Sequence, residues 1–168
     1  MFDPALIARA TALLAALRAA DLHLATAESC TGGLIAALLT EIAGASDVVD
    51  RGFVTYSNEA KSELLGVPAV MIATFGAVSR DVAIAMAEGA CARTRQGSGG
   101  SIAVAVTGVA GPGGGTPLKP VGLVHIAVAR SGQPTRHRAC QFGDVGRGQI
   151  RLATVEAALE LLVEGSCE

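Results

Sequence analysis

Helical and extended segments alternate along the chain, the central extended segments are apolar throughout, and three polar clusters fall at the ends of extended segments. These observations predict an α/β fold: a single layered α/β/α domain over residues 1–168, its mixed sheet covered by helices on both faces. The length of 168 residues suits one domain, and a hydrophobic content of 51% is enough for a sizeable core. Aromatic residues make up only 3%, so that core has to be aliphatic.

Asp3 is placed to cap a first helix, with Pro4 at its first position and Leu6, Ala10, Leu13, Leu14 and Leu17 recurring at helical spacing. Residues 22–27, LHLATA, read as a strand that runs into ESCTGG, and residues 32–43 read as a helix closed by Gly44. GFVTYS, residues 52–57, reads as a second strand. NEAKSELLG follows as a short helix that Ser57 or Asn58 caps and Gly66 ends, with Pro68 just beyond. Ser79 caps another helix, SRDVAIAMAEGACARTR, and RQGSGG is a turn. SIAVAVTG, residues 101–108, is a continuous apolar run, the mark of a strand covered on both faces. A loop dense in Gly and Pro spans residues 108–122. VGLVHIAVAR and TRHRACQF then read as strands, and GQIRLATVEAALELLVEG as a closing helix. No internal repeat or domain boundary is visible.

A formal net charge of -2 leaves no basic footprint for nucleic acid and no polybasic patch for a membrane surface. No apolar run reaches the roughly 18 residues of a membrane span, and the N-terminal stretch lacks the layout of a secretory signal, so a cytoplasmic protein is expected. The cysteines Cys30, Cys91, Cys140 and Cys167 include no C-x-x-C pair, so neither a metal site nor disulfides are expected. His23, His125 and His137 lie in expected strands without a carboxylate at ligand spacing, and read as structural; nothing marks a triad of His125 with Asp144.

In such folds ligands bind just past strand C-termini, where all three polar clusters fall. In the first, Ser29 stands before a helix start whose free N–H groups would stabilise an acyl oxyanion or a phosphate, as in a nucleophile elbow. The pattern is not G-x-S-x-G, and a simple helix cap by Ser29 or Thr31 is the competing reading. Cys30 would be a competent thiolate at a helix start, but adjacent side chains of an extended segment face opposite ways. Glu28 is unassigned: it either holds Lys61 or orders the turn. The second cluster supplies Tyr56 and Lys61. A desolvated Lys61 has a lowered pKa and can take the serine proton, and Tyr56 can relay a proton or bind substrate. The alternatives are a solvated lysine and a packing tyrosine. The third is the glycine-rich loop from Thr107 and Gly108, open to a phosphate but matching neither the P-loop nor the dinucleotide-binding pattern.

TAESCTGGLIAALLTEIAGAS, RGFVTYSNEAKSELLGV with GAVSRDVAIAMAEGA, and VAVTGVAGPGGGTPLKPVG together resemble the CinA C-terminal domain family (competence/damage-inducible protein A) from about residue 5 to about residue 162. The chain looks like the stand-alone form, since it has no room for the N-terminal domain of longer members. The resemblance implies an amidohydrolase that converts nicotinamide mononucleotide to nicotinate mononucleotide and ammonia, with no metal or organic cofactor. It also implies serine-lysine chemistry on Ser29 and Lys61 with Tyr56 beside them. Thr31, Gly32, Gly33, Thr107 and Gly108 match pocket-lining positions. The family's Gly-Asp-Arg before an Ile-Arg pair is altered here to FGDVGRGQIR. Counting back from Ile150 and Arg151 puts its arginine, a phosphate or carboxylate anchor, on Arg147 and its aspartate on Gly146.

The expected path has Lys61 deprotonate Ser29 as it attacks the amide carbon, with N–H groups of residues 31–33 holding the oxyanion before water releases the acyl-enzyme. Two other readings stay open: a non-catalytic nucleotide-binding or regulatory module tied to competence or damage responses, and a cysteine hydrolase through Cys30. A small nucleotide is the expected partner, and a homo-oligomer, at its simplest a dimer, is implied by related enzymes.

Overall fold

The computed structural model describes residues 2–167. Its chain order is α1 (Pro4–Ala19), β1 (Leu22–Glu28), α2 (Leu34–Thr40), a short 3-10 turn (Ala45–Asp47), β2 (Val49–Val54), α3 (Asn58–Leu65), α4 (Ala69–Phe75), α5 (Arg80–Ala92), β3 (Gly100–Gly108), β4 (Leu123–Arg130), β5 (Arg136–Gln141) and α6 (Arg147–Ser166). The five strands form one mixed sheet in the order β2-β1-β3-β4-β5. β1 runs parallel to both neighbours, and β4 and β5 are antiparallel additions.

The apolar run of β3 splits by size. Ile102, Val104 and Val106 face α1, α2 and α6, joined there by Leu22 and Leu24 of β1 and by Val124, Ile126 and Val128 of β4. The opposite face is made of alanines, Ala25, Ala27, Ala103, Ala105, Ala127 and Ala129, and carries α5 with Leu65 of α3 and Ile72 of α4. Side chains this small leave room for α5 to lie close against the sheet. Burial on both faces is why β3 reads as an unbroken apolar stretch rather than an alternating one.

Caps follow the sequence. Asp3 accepts from the Ala5 N–H at 2.8 Å, and Ser57 and Ser79 accept from the N–H groups of Ala60 and Val82. Two elements differ from expectation. β2 spans Val49–Val54 rather than 52–57, so Tyr56 and Ser57 lie beyond the strand. α2 starts only at Leu34, because Gly32 and Gly33 take left-handed conformations (φ 60° and 98°) that form a turn before the helix. A further helix, α4, with Pro68 at its N-cap, follows where the sequence reading named no element. Its seven residues are too few for helical periodicity to stand out. No helix among the described residues is long and apolar enough to cross a membrane.

β1 connects to β2 on one side of itself, and the chain returns to β3 on the other side. The carboxyl ends of β1 and β3 are therefore a topological switch point, where a crevice forms. α3 is held beside that crevice by a close approach to α5. A Cβ on Gly89 would lie 2.0 Å from the Leu65 carbonyl oxygen, which accepts from Arg93 at 3.1 Å. G89A is accordingly expected to destabilise the protein by about 1–3 kcal/mol in urea unfolding. G148A, where an added Cβ meets nothing within 4 Å, is expected to be neutral or slightly stabilising.

Candidate active site

A cleft of about 220 Å³ opens at the carboxyl ends of β1 and β3. Ser29 and Cys30 form its floor, Tyr56, Asn58 and Lys61 one wall, and Ala77, Val78, Thr107, Gly108, Ala110 and Arg147 the rest. Of the residues singled out in the sequence, Ser29, Tyr56, Lys61, Thr107, Gly108 and Arg147 thus meet in one place.

Lys61 sits on α3 one turn after the Ser57 cap, and its side chain points inward. It is 1% exposed, the largest fully buried side chain among the described residues. Its Nζ lies 3.1 Å from Ser29 Oγ, 2.9 Å from the Thr55 carbonyl oxygen, and 3.4 and 3.5 Å from those of Ser57 and Tyr56. Among the described residues no carboxylate pairs with it. Burial disfavours the ammonium and pushes its pKa below the usual lysine value, an effect that nearby Cys30 and Glu59 only partly offset. A neutral amine in this cage can give its two protons to carbonyls and turn its lone pair to the Ser29 hydroxyl. That is the arrangement of a general base.

Ser29 leaves the end of β1, where its N–H donates to the Val106 carbonyl of β3. Thr31, Gly32 and Gly33 are not among the cleft-lining residues, contrary to the expected pocket-lining place. The Thr31 side chain is fully buried and donates to Glu28 at 2.7 Å. The Gly33 N–H also donates to Glu28, and the Gly32 N–H donates to the Ser29 carbonyl. These N–H groups are therefore already engaged inside the protein. Cys30, directly after Ser29, borders the cleft, and its N–H has no backbone or side-chain acceptor in another described residue. The Cys30 thiol is pushed up to about 11, chiefly by burial and further by the Glu28 charge, so it is held protonated.

Tyr56 is 63% exposed at the cleft mouth. Its hydroxyl accepts from Arg147 at 2.9 Å, and its backbone carbonyl, not its phenol, faces Lys61. Arg147, the first residue of α6, also donates to the Gly111 carbonyl of the glycine-rich loop at 2.8 Å. Its guanidinium thereby spans the cleft mouth. The Thr107 hydroxyl donates to the Ala77 carbonyl at 2.9 Å, which ties β3 to the entry of α5.

Sequence reasoning missed Asn58, Ala77, Val78 and Ala110 as lining residues. Asn58 could have been found, because it lies three residues before Lys61 on the same helical face. It also missed Arg151, which donates to the Thr31 carbonyl at 2.7 Å. His125 and His137 stack at 5.2 Å between ring centroids and hydrogen-bond each other, so His125 is not paired with Asp144. Among the described residues no group of three or more His, Cys, Asp or Glu is placed to hold a metal ion.

The sequence profile of the CinA C-terminal domain matches residues 7–165. A CinA-like protein of Anaeromyxobacter dehalogenans is 50% identical over 151 residues, which are 89% of this chain and 35% of that protein. One from Akkermansia muciniphila is 58% identical over 116 residues, 69% of this chain and 27% of that protein. The chain thus spans about a third of the length of the curated relatives it matches. A crystal structure of the competence/damage inducible protein CihA from Agrobacterium tumefaciens superposes with a TM-score of 0.93 at 52% identity, covering 98% of this chain and 97% of that one. A competence damage-inducible protein A from Klebsiella pneumoniae gives a TM-score of 0.86 at 36% identity, covering 95% of each chain.

Burial of Lys61 predicts a pH signature of stability. Between its lowered folded-state pKa and the ordinary value of 10.5, the unfolded chain binds the proton that the folded chain lacks. The unfolding free energy therefore rises with pH across that window, and the full penalty is present below it. Urea unfolding from pH 7 to pH 10 is expected to show this rise in the difference between the wild type and K61M, a comparison in which the opposite contribution of Cys30 cancels.

Proposed function

Because the chain belongs to the CinA C-terminal domain family, we propose that it is an amidohydrolase that converts nicotinamide mononucleotide to nicotinate mononucleotide and ammonia through a serine acyl-enzyme. The observation that carries this reading is the Lys61 amine, buried without a carboxylate and 3.1 Å from Ser29 Oγ. A serine hydroxyl is a weak nucleophile, and a desolvated amine is a base that works without being consumed as an ion-pair partner.

Lys61 takes the Ser29 proton as Oγ attacks the carboxamide carbon. The developing oxyanion is held by the N–H of Cys30, the residue after the nucleophile, which has no acceptor in another described residue. The ammonium of Lys61 then returns its proton to the leaving nitrogen, and ammonia departs. Lys61 next deprotonates water, which attacks the ester; the nicotinate carboxylate leaves and Ser29 recovers its proton. Arg147 supports the choice of a phosphorylated amide: its planar fork at the cleft mouth matches phosphate oxygens, and no lining residue is acidic. The same reading makes the protein a cytoplasmic, self-associating enzyme of pyridine-nucleotide salvage whose partner is the nucleotide.

The test is ammonia release from pure nicotinamide mononucleotide. S29A is expected to lower kcat by at least about 1,000-fold, and K61M by about 100- to 10,000-fold. Binding of the mononucleotide without ammonia above background would favour a non-catalytic nucleotide-binding module instead. R147A is expected to raise KM by about tenfold or more while kcat changes less. The wild-type kcat/KM should climb with pH and level off at an inflection below 10.5, because the base must be neutral and burial lowers its pKa. An inflection at or above 10.5 would exclude a desolvated Lys61 as the base.

A further inference from the structure

Glu28 is the last residue of β1 and is fully buried. By strand alternation it shares the face of Leu22 and Leu24, toward α2, while Ser29 turns toward the cleft. Its carboxylate accepts four hydrogen bonds. Oε2 takes the Thr31 hydroxyl at 2.7 Å, the Gly33 N–H at 3.1 Å and the Ile35 N–H at 3.0 Å. Oε1 takes the Ala36 N–H at 2.9 Å. All four donors come from the turn after Ser29 and the start of α2. That helix has Gly33 at its N-cap and so no side-chain cap of its own. The strand that delivers the nucleophile thus caps the following helix from behind, and the two left-handed glycines allow the chain to fold back far enough to do so. Arg151 grips the same turn through the Thr31 carbonyl. No contact joins Glu28 to Lys61.

The geometry points to Glu28 as a positioning residue, whose carboxylate holds the turn of residues 29–33 in the one shape that keeps Ser29 Oγ against Lys61 Nζ. This inference rests on the amidohydrolase reading for its natural substrate but not for its logic, since any attack by Ser29 needs the same alignment. A glutamine at this position presents an N–H₂ group to donors. It breaks at least one contact and shifts the turn without altering the Arg147 side of the cleft.

The test compares wild type, E28Q, E28D and T31V. kcat and KM are measured with nicotinamide mononucleotide, folding by circular dichroism and thermal melting, and Ser29 phosphonylation by a fluorophosphonate, read as the mass gain of the intact protein. Expected is a folded E28Q with kcat reduced by about 100-fold, the loss caused by a misplacement on the order of 1 Å, and with KM within about threefold of wild type. Phosphonylation should slow in parallel. E28D, which keeps the charge, and T31V, which removes one donor, should each lose less, about tenfold. A purely structural cap would lower the melting temperature and leave both kcat and phosphonylation of the folded protein unchanged; that result overturns the proposal. Should E28Q not fold, T31V decides, and a T31V protein with wild-type kcat and labelling overturns it equally. Absence of ammonia release with Ser29 still labelled faster in wild type than in E28Q would overturn the substrate reading alone and support the positioning role. No labelling of wild-type Ser29 would overturn both.

Discussion

An amine buried among backbone carbonyls with no carboxylate to neutralise it is the constraint around which the cleft is organised. A charged ammonium there would bear a desolvation penalty that three carbonyl dipoles only partly offset. The fold nevertheless commits backbone to it. The chain between β2 and α3 bends so that the Thr55, Tyr56 and Ser57 carbonyls face one nitrogen, and Ser57 also caps α3. α3 is in turn fixed against α5, where Gly89 admits the Leu65 carbonyl. Stability is given up at Lys61 to hold an unpaired amine against Ser29, and it is recovered in the aliphatic layers on either side of the sheet.

The fold was legible wherever local chemistry decides it. Asp3, Ser57 and Ser79 each bond the N–H that a capping residue should, and the apolar run of β3 signalled a doubly covered strand. Legibility failed where tertiary contacts override the local signal. Gly32 and Gly33 read as a helix start, but the first donors of α2 are drawn to a carboxylate of the preceding strand, so the helix begins later. Tyr56 read as the end of a strand. β2 stops at Val54 instead, because Tyr56 reaches outward to Arg147 and its carbonyl turns to Lys61.

The site was legible as a set of residue types and less so as a set of contacts. A serine before a turn, a lysine one turn into a helix and a glycine-rich loop could each be ordinary surface chemistry. Only the topology, with β1 between β2 and β3, brings them together. The expected use of Gly32 and Gly33 as oxyanion donors meets a physical obstacle: Ser29 and Glu28 already hold their N–H groups. The signal that could have revealed this is an acidic residue buried at the end of a central strand, which must find donors nearby.

Ser29 and Cys30 are adjacent, and a thiolate would be the stronger nucleophile. Their surroundings separate them. Cys30 packs in the aliphatic layer with the Glu28 charge close by, and its thiol is held protonated well above neutral pH. Ser29 lies between Lys61 and the open cleft. The same carboxylate that orders the turn adds to burial in opposing ionisation of the Cys30 thiol, and Ser29, not Cys30, hydrogen-bonds Lys61 Nζ. Burial first, and one buried carboxylate second, thus set the two adjacent side chains at this strand end apart.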